Sequence, residues 1–557
     1  MRWRPFARLR ARLTRITRRR IAAALMSRLY ATGLYRATLS ARTGGPFEHA
    51  PSEPWPGDSN LGAAVIAGRF ALAGQTLAAD GDGAAAPWDA LGVTDAYRAA
   101  LHGFDWLRDV RAAGGDAARL AARRIIDDWI AREAPIRAVP WRADVLASRI
   151  AAWLAQSEYL WAGANDEFRA HFEASLARQA RHLARAARYA PDDANRIVIF
   201  KALIYAALAM PASRRRLARW IAQLDRAIAM QVLADGGHVE RSPEVHLAAL
   251  RHLVDIRANL REAGLEVPAS LQGAIDRMAP MLRFFRHGDG GLVQFNDSSE
   301  SRDWLIDMVL THADARGKPL ASAPHTGFER LAASRTLLVV DAGAPPPPGL
   351  DLHAHAGTLA FEMSVGKERM VVNCGAYVGP NAAWRDAQRA TAAHSTLVVE
   401  DVNSSELLPG GGLGLRPRAV TVERRESDGS VWIDAAHDGY VRLFGLTHRR
   451  RLYLSSGGDD LRGEDTLTGR GHHKFAVRFH LHPLVKASLV QRGSSVLLRL
   501  GSGAGWHLRA TGGVTNLQES VYLGPAGEVR RTDQIVISAA TKGDGAQIKW
   551  AFTRVPA

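Results

Sequence analysis

Cysteine is almost missing from the chain: Cys374 stands alone among 557 residues. That excludes an intrachain disulfide and a metal site built on several thiolates. Acidic residues are missing before Glu48, and so is lysine, although the same segment holds 12 arginines. Long apolar runs are missing as well. None approaches the ~18–20 residues of a membrane-crossing helix. The short run 21–26 falls below the ~7–15 residues of a secretion-signal core and has arginines on both sides. The expected location is therefore the cytoplasm, with residues 1–45 as a basic leader suited to peripheral contact with an anionic membrane face. The formal charge is +16, and removing the 12 leader arginines leaves +4 on the rest. So small an excess on the body argues against a nucleic-acid partner.

A chain of this length is too long for one ordinary core, so two domains are expected. From 46 to 325 apolar residues recur at helical intervals, as in Ile197, Phe200, Ile204 and Leu208 and in Leu217, Trp220, Ile221, Leu224 and Ile228. Consecutive helices without strand signals point to helix pairs wrapped as a toroid or bundle. From 326 to 557 the chain turns to short β-rich runs separated in places by glycine-rich turns, the pattern of a large antiparallel sandwich. A cleft is expected where the two halves meet.

Four stretches carry polar groups that packing alone does not explain. The first, residues 351–401, opens on His353-x-His355 and continues with Leu359, Phe361, Met363 and Val365, so both imidazoles are expected on one face of a strand. His394 begins a further strand-like run. The second, DDANR at 192–196, puts Asn195 where a helix cap is wanted; an amide at a cleft-facing helix start can also bind a carboxyl group without repelling it. The third, DGGHVERSPEVH at 235–246, joins a glycine turn to a helix start at Ser242 and Pro243. Capping and turning account for those residues, but His238, Glu240, Arg241 and His246 are costly beside a tight turn unless exposed or used. The fourth is the polar loop FNDSSESR at 295–302.

These segments, together with LHGFDWLRD at 101–109, WRADVLASRIAAWL at 141–154 and RATAAHSTLVVED at 389–401, occur in an order that resembles the heparinase II/III-like polysaccharide lyases. The resemblance implies an N-terminal (α/α) toroid followed by a C-terminal antiparallel β-sandwich, and β-elimination at a uronic acid. There an asparagine neutralises the carboxylate, a tyrosine or histidine takes the C5 proton, and an acid protonates the leaving oxygen. Carried over, Asn195 matches the neutralising asparagine and His353 the catalytic histidine of the second half. Arg196, Arg241, Asn296, Arg385 and Arg389 become the expected contacts to an acidic polysaccharide. His355, Asn373 and His394 fall where relatives hold zinc, although the elimination itself requires no cofactor.

The departures shape the reading. Where the family places a tyrosine before a histidine, this chain has Val245–His246. Valine moves no proton, so His246, Tyr205 or Tyr377 must substitute, or the chemistry is lost. Asn373 replaces the usual aspartate, and a neutral amide beside two neutral imidazoles argues against an occupied zinc site. Arg196 follows Asn195 and can clamp a carboxylate or pair with Asp192 or Asp193. Two functions stand first: a uronate-polysaccharide lyase, or an acidic-glycan-binding or envelope-polysaccharide assembly protein that keeps the fold without the base. A hydrolase using Asp235 and Glu240 ranks last.

Overall fold

The segment NRIVIFKALIYAALA has no polar face, and a helix apolar on all sides belongs in an interior. In the computed structural model it forms the helix Asn195–Ala209, in which every residue except Asn195 is buried. The structure describes residues 21–22, 24–39, 47–79, 86–132, 136, 138–300, 303–493 and 495–556. The chain forms two compact units, Met1–Gln231 with Arg251–Gly273, and Val232–Leu250 with Ala274–Ala557.

In the first unit the helices Ala143–Ala155, Asp166–Ala186 and Leu217–Gln231 pack around Asn195–Ala209. The strands described in this unit are the hairpin Arg69–Leu72 with Gln75–Ala78. Lys201 is buried on the central helix with Nζ 2.6 Å from Glu53 and 2.7 Å from Asp255. Arg149, also fully buried, donates to Gln179 and to the carbonyls of His102 and Pro140. Buried cations survive because each has charge or carbonyl partners in place. Most of the leader 1–45 lies outside the described residues; of the rest, 24–30 are helical and Gly33–Ala37 forms a short helix. Among the described residues no helix is long and apolar enough to cross a membrane.

The second unit holds two antiparallel sheets. One has eight strands, in the order Lys486–Val490, Ser495–Arg499, Gly505–Thr511, Gly545–Arg554, Asp460–Thr468, Thr447–Leu454, Ser430–His437 and Val420–Ser427. The other runs Val514–Leu523, Val529–Ala540, Lys474–Leu481, Glu368–Val372, Phe361–Val365, Thr336–Asp341, Phe328–Ala333 and Ser322–Ala323, with Leu397–Val399 pairing beside Lys474–Leu481. Alternate residues of both sheets meet in one core, where Phe361 stacks on Trp550 at 5.8 Å. Helices thus precede an antiparallel sandwich, as the periodicity predicts. The packing boundary does not follow the change of secondary structure near 325: the turn at 232–242 and the helical residues 274–284 belong with the sheets.

A buried charge cluster ties the eight-stranded sheet to the loops above it. Arg450 pairs with Asp465 at 2.8 Å and donates to the carbonyls of Leu359 and Ser395, while His448 and Trp550 also bond Asp465, each at 2.8 Å. Burial alone would raise the Asp465 carboxyl, but Arg450 and His448 hold it far below the usual carboxylate range. A group depressed in this way stabilises the fold above its unfolded pKa and ceases to do so as pH falls through the folded value. Asp465→Asn leaves Arg450 buried without its counter-charge and is expected to cost about 3–5 kcal/mol. Urea unfolding of the full chain measures this, and an unchanged midpoint would contradict it.

Candidate active site

The residues that sequence reading singles out divide between the two units. In the first, Asn195 is the first residue of its helix rather than the cap. Ala194 precedes it, and the Asn195 amide N–H donates to Asp193 at 3.1 Å. Its own side chain is exposed and makes no hydrogen bond among the described residues. Arg196 is buried, pairing with Asp192 at 2.8 Å and donating to the carbonyl of Ala190. Of the two fates open to this guanidinium, the structure shows the internal pair. Tyr205 is fully buried and accepts from Asn259, which leaves it facing the interior.

The second unit gathers the remainder around one turn. Asn296 and Asp297 both adopt left-handed backbone, with φ of 49° and 62°. Consecutive left-handed residues reverse the chain sharply, and Asn and Asp tolerate that conformation better than most. The turn lets Asp297 act twice. Its N–H donates to His355 Nε2 at 2.9 Å, and its carboxylate accepts from His353 Nδ1 at 2.7 Å. Asn296 fastens the turn: its Nδ2 donates to the carbonyl of Arg241 and its Oδ1 accepts the His355 N–H. Both predicted histidines are therefore placed by a loop rather than by a strand. The strand begins only at Phe361, and the expectation that His353 and His355 share a strand face is corrected accordingly.

His353 keeps 35% of its side chain exposed, and its Nε2 has no hydrogen-bond partner among the described residues. Burial would push this imidazole down, yet the Asp297 hydrogen bond and charge, with Glu240 nearby, bring it above its ordinary value against the opposing charge of Arg385. A half-exposed imidazole with one nitrogen held by a carboxylate and the other open can pass a proton to a bound molecule. Glu244, at the start of the helix Pro243–Glu262, lies beside this pair. Burial raises its carboxyl, and Ser299 donates to it through both N–H and hydroxyl.

His355 and His394 form a closed chain. Nδ1 of His355 lies 3.1 Å from Nε2 of His394, whose Nδ1 donates to the carbonyl of Ala390. Gly357 permits this packing, since a Cβ there would lie 2.6 Å from the His394 ring. Burial pushes both imidazoles down, His394 to about 4, so both are neutral. One tautomer each satisfies all four ring nitrogens without a metal. Asn373, the third implied ligand, accepts from the Ser395 N–H and donates to Gln294. Among the described residues no three His, Cys, Asp or Glu side chains are grouped to hold a metal ion. The donor set does not fit the implied zinc.

The other candidates are held internally. His246 is fully buried against Phe285 with Nε2 3.0 Å from the carbonyl of Met278, and burial pushes it down to about 4. It has no exposed face from which to replace the missing tyrosine. Arg241 pairs with Asp341 and donates to the carbonyls of Thr326, Gly327 and Ala344, which makes it a tie between loops. Arg389 is buried against the carbonyls of Ala354, Leu408 and Gly412. Asp235 accepts from Thr326 and from the N–H groups of Gly237 and His325, which ties two loops together. Arg385 is different: it is half-buried and makes no ion pair among the described residues. Beside it in sequence, Trp384 stacks on Tyr377 at 6.1 Å.

Sequence reasoning passed over Asp297, although FNDS was in view. The available signal was a carboxylate one residue from a predicted contact and within a polar loop.

Residues 118–314 match the heparinase II/III N-terminus, and residues 315–551 match the heparinase II/III-like C-terminal family. A curated protein, FtsZ-localized protein C of Caulobacter vibrioides, is 35% identical over 529 residues, covering 90% of this chain and 89% of its own. The crystal structure of heparinase III is similar with a TM-score of 0.74 at 13% identity, covering 96% of this chain and 89% of that one. A mutant of the heparan sulfate lyase HepC from Pedobacter heparinus follows with a TM-score of 0.60 at 17% identity, covering 96% and 89%.

Because the two imidazoles complete each other's hydrogen bonds, the chain dialysed against zinc is expected to retain well under one equivalent. Metal analysis of the dialysed protein tests this; a full equivalent lost on His394→Ala would contradict it.

Proposed function

We propose, on the premise that the chain belongs to the heparinase II/III-like family, that it is a polysaccharide lyase cleaving a uronate-containing polymer by β-elimination. The observation that carries this reading is the Asp297–His353 pair with its open Nε2. Elimination breaks the C5–H and C4–O bonds of the uronate and forms a C4–C5 double bond, so one proton is removed at carbon and one delivered to the leaving oxygen. His353, held above its ordinary pKa, suits the delivery. Arg385 supplies a cation for an acidic sugar, and the unengaged amide of Asn195 has the chemistry to neutralise the uronate carboxylate. With Tyr205 buried, Tyr377 on its Trp384 platform is the remaining tyrosine named for the proton abstraction.

A second reading, an acidic-glycan-binding protein that no longer cleaves, is favoured by Val245 in the tyrosine position and by the burial of His246. The Caulobacter vibrioides relative is named for its localization with FtsZ. Peripheral membrane contact through the arginine-rich leader remains part of the proposal.

One experiment separates the readings. Across a panel of uronate polymers, the lyase produces ultraviolet-absorbing unsaturated ends, and His353→Ala lowers kcat/KM by about 10²–10⁴-fold. Saturable binding without product, retained in His353→Ala, selects the second reading; neither binding nor product removes both. The pH profile adds a signed test. A general acid works while protonated, so activity falls as pH rises through its pKa. Asp297 raises that pKa, so Asp297→Asn moves the alkaline limb to lower pH. An unmoved limb would contradict the assignment of His353.

A further inference from the structure

A cavity of about 610 Å³ in the first unit, which does not contain His353, has a lining dominated by one kind of charge. Arg181, Arg185 and Arg188 line it from the helix Asp166–Ala186 and the turn after it. Arg215, Arg216 and Arg219 line it from the start of the helix Leu217–Gln231. One carboxylate, Glu173, is also in the lining. Among the described residues Arg185, Arg188, Arg215, Arg216 and Arg219 make no ion pair, unlike the paired arginines of the sandwich.

Three of them lie over aromatic rings. Arg185 lies over Tyr35 at 5.2 Å, Arg188 over Tyr189 at 5.1 Å and Arg219 over Trp220 at 5.0 Å. A ring face anchors a guanidinium without neutralising it. Arg185 also donates to the Thr38 hydroxyl and carbonyl and Arg181 to the Leu39 carbonyl, which fixes them as cations at the wall, whereas the exposed Arg188, Arg215 and Arg219 carry N–H groups that an incoming anion can reach. Partial burial and the like charges of Arg215, Arg181, Arg219 and Arg185 push Arg216 below its ordinary value, so the cluster is under mutual repulsion that an anion relieves.

We propose that this cavity binds a ligand carrying closely spaced phosphate groups, held by forked bonds from the two arginine rows. Phosphate matches the guanidinium fork and brings up to two charges per group, which suits six cations around one small volume. The source is either a free polyphosphate or a phospholipid headgroup. A lipid source has support at the rim: Met26 and Tyr30 line the cavity, and the same helical segment exposes Leu25 at 60% and Leu29 at 49%.

The test uses the full chain with two probes, inorganic tripolyphosphate by calorimetry and phosphatidic-acid-containing vesicles by sedimentation. The triple variant Arg188→Ala, Arg215→Ala and Arg219→Ala removes three exposed side chains. The matching lysine triple controls for charge, and thermal unfolding reports whether each variant folds. The expected result is binding of at least one probe, weakened tenfold or more by the alanine triple and less by the lysine triple. Tripolyphosphate binding without vesicle binding assigns a soluble source, and vesicle binding lost in Leu25→Ser with Leu29→Ser assigns a lipid source. Binding of neither probe, equal binding by the folded alanine triple, or loss of uronate-polymer binding alone overturns the proposal.

Discussion

The candidate site depends on the two hydrogen bonds of Asp297. Its carboxylate orients His353 and its N–H holds His355, and both are possible because Asn296 and Asp297 turn the chain through left-handed backbone. Such backbone persists only where its surroundings fix it, and Asn296 does so with one bond to Arg241 and another to His355. Arg241 is in turn tied to Asp341 and four carbonyls. A series of internal bonds therefore ends at a single open nitrogen on His353, and rigid support of this kind is what proton transfer requires.

The same network explains why neighbouring histidines differ. His353 is half-exposed beside carboxylates and is pushed up, whereas His355, His394 and His246 are buried and pushed down. Burial disfavours the charged imidazole, and only a nearby carboxylate outweighs it. Residue type alone made all four look equivalent. Their environments leave one to move protons, two to complete each other's hydrogen bonds, and one to fill the space beneath the helix Pro243–Glu262.

The order of helices and strands was legible because it rests on periodicity, which is local. The motifs drew attention to Asn195, Asn296 and His353, but Asn296, expected as a contact to an acidic polysaccharide, is buried with both ends of its amide bonded inside the protein. What was not legible depends on partners distant in sequence. Arg241 looked like a glycan contact until Asp341, 100 positions away, was found beside it. His246 was placed on a helix by its spacing, but which side of that helix is sealed is decided by Phe285 and Met278. The helix cap was misassigned by one residue: Ala194 holds that position, the Asn195 N–H donates to Asp193, and the Asn195 side-chain amide is left available. The arginines at 181–219 drew no notice because their spacing reads as an ordinary solvated helix face.

The central claim is that Asp297 sets both the orientation and the acidity of His353. Imidazole nitrogen NMR of the full chain, with His353 assigned by substitution, measures both at once. The account predicts that in the neutral ring Nδ1 carries the proton and Nε2 titrates, with a pKa above that of free histidine. A ring protonated at Nε2 when neutral, or a pKa at or below the free value, would contradict it.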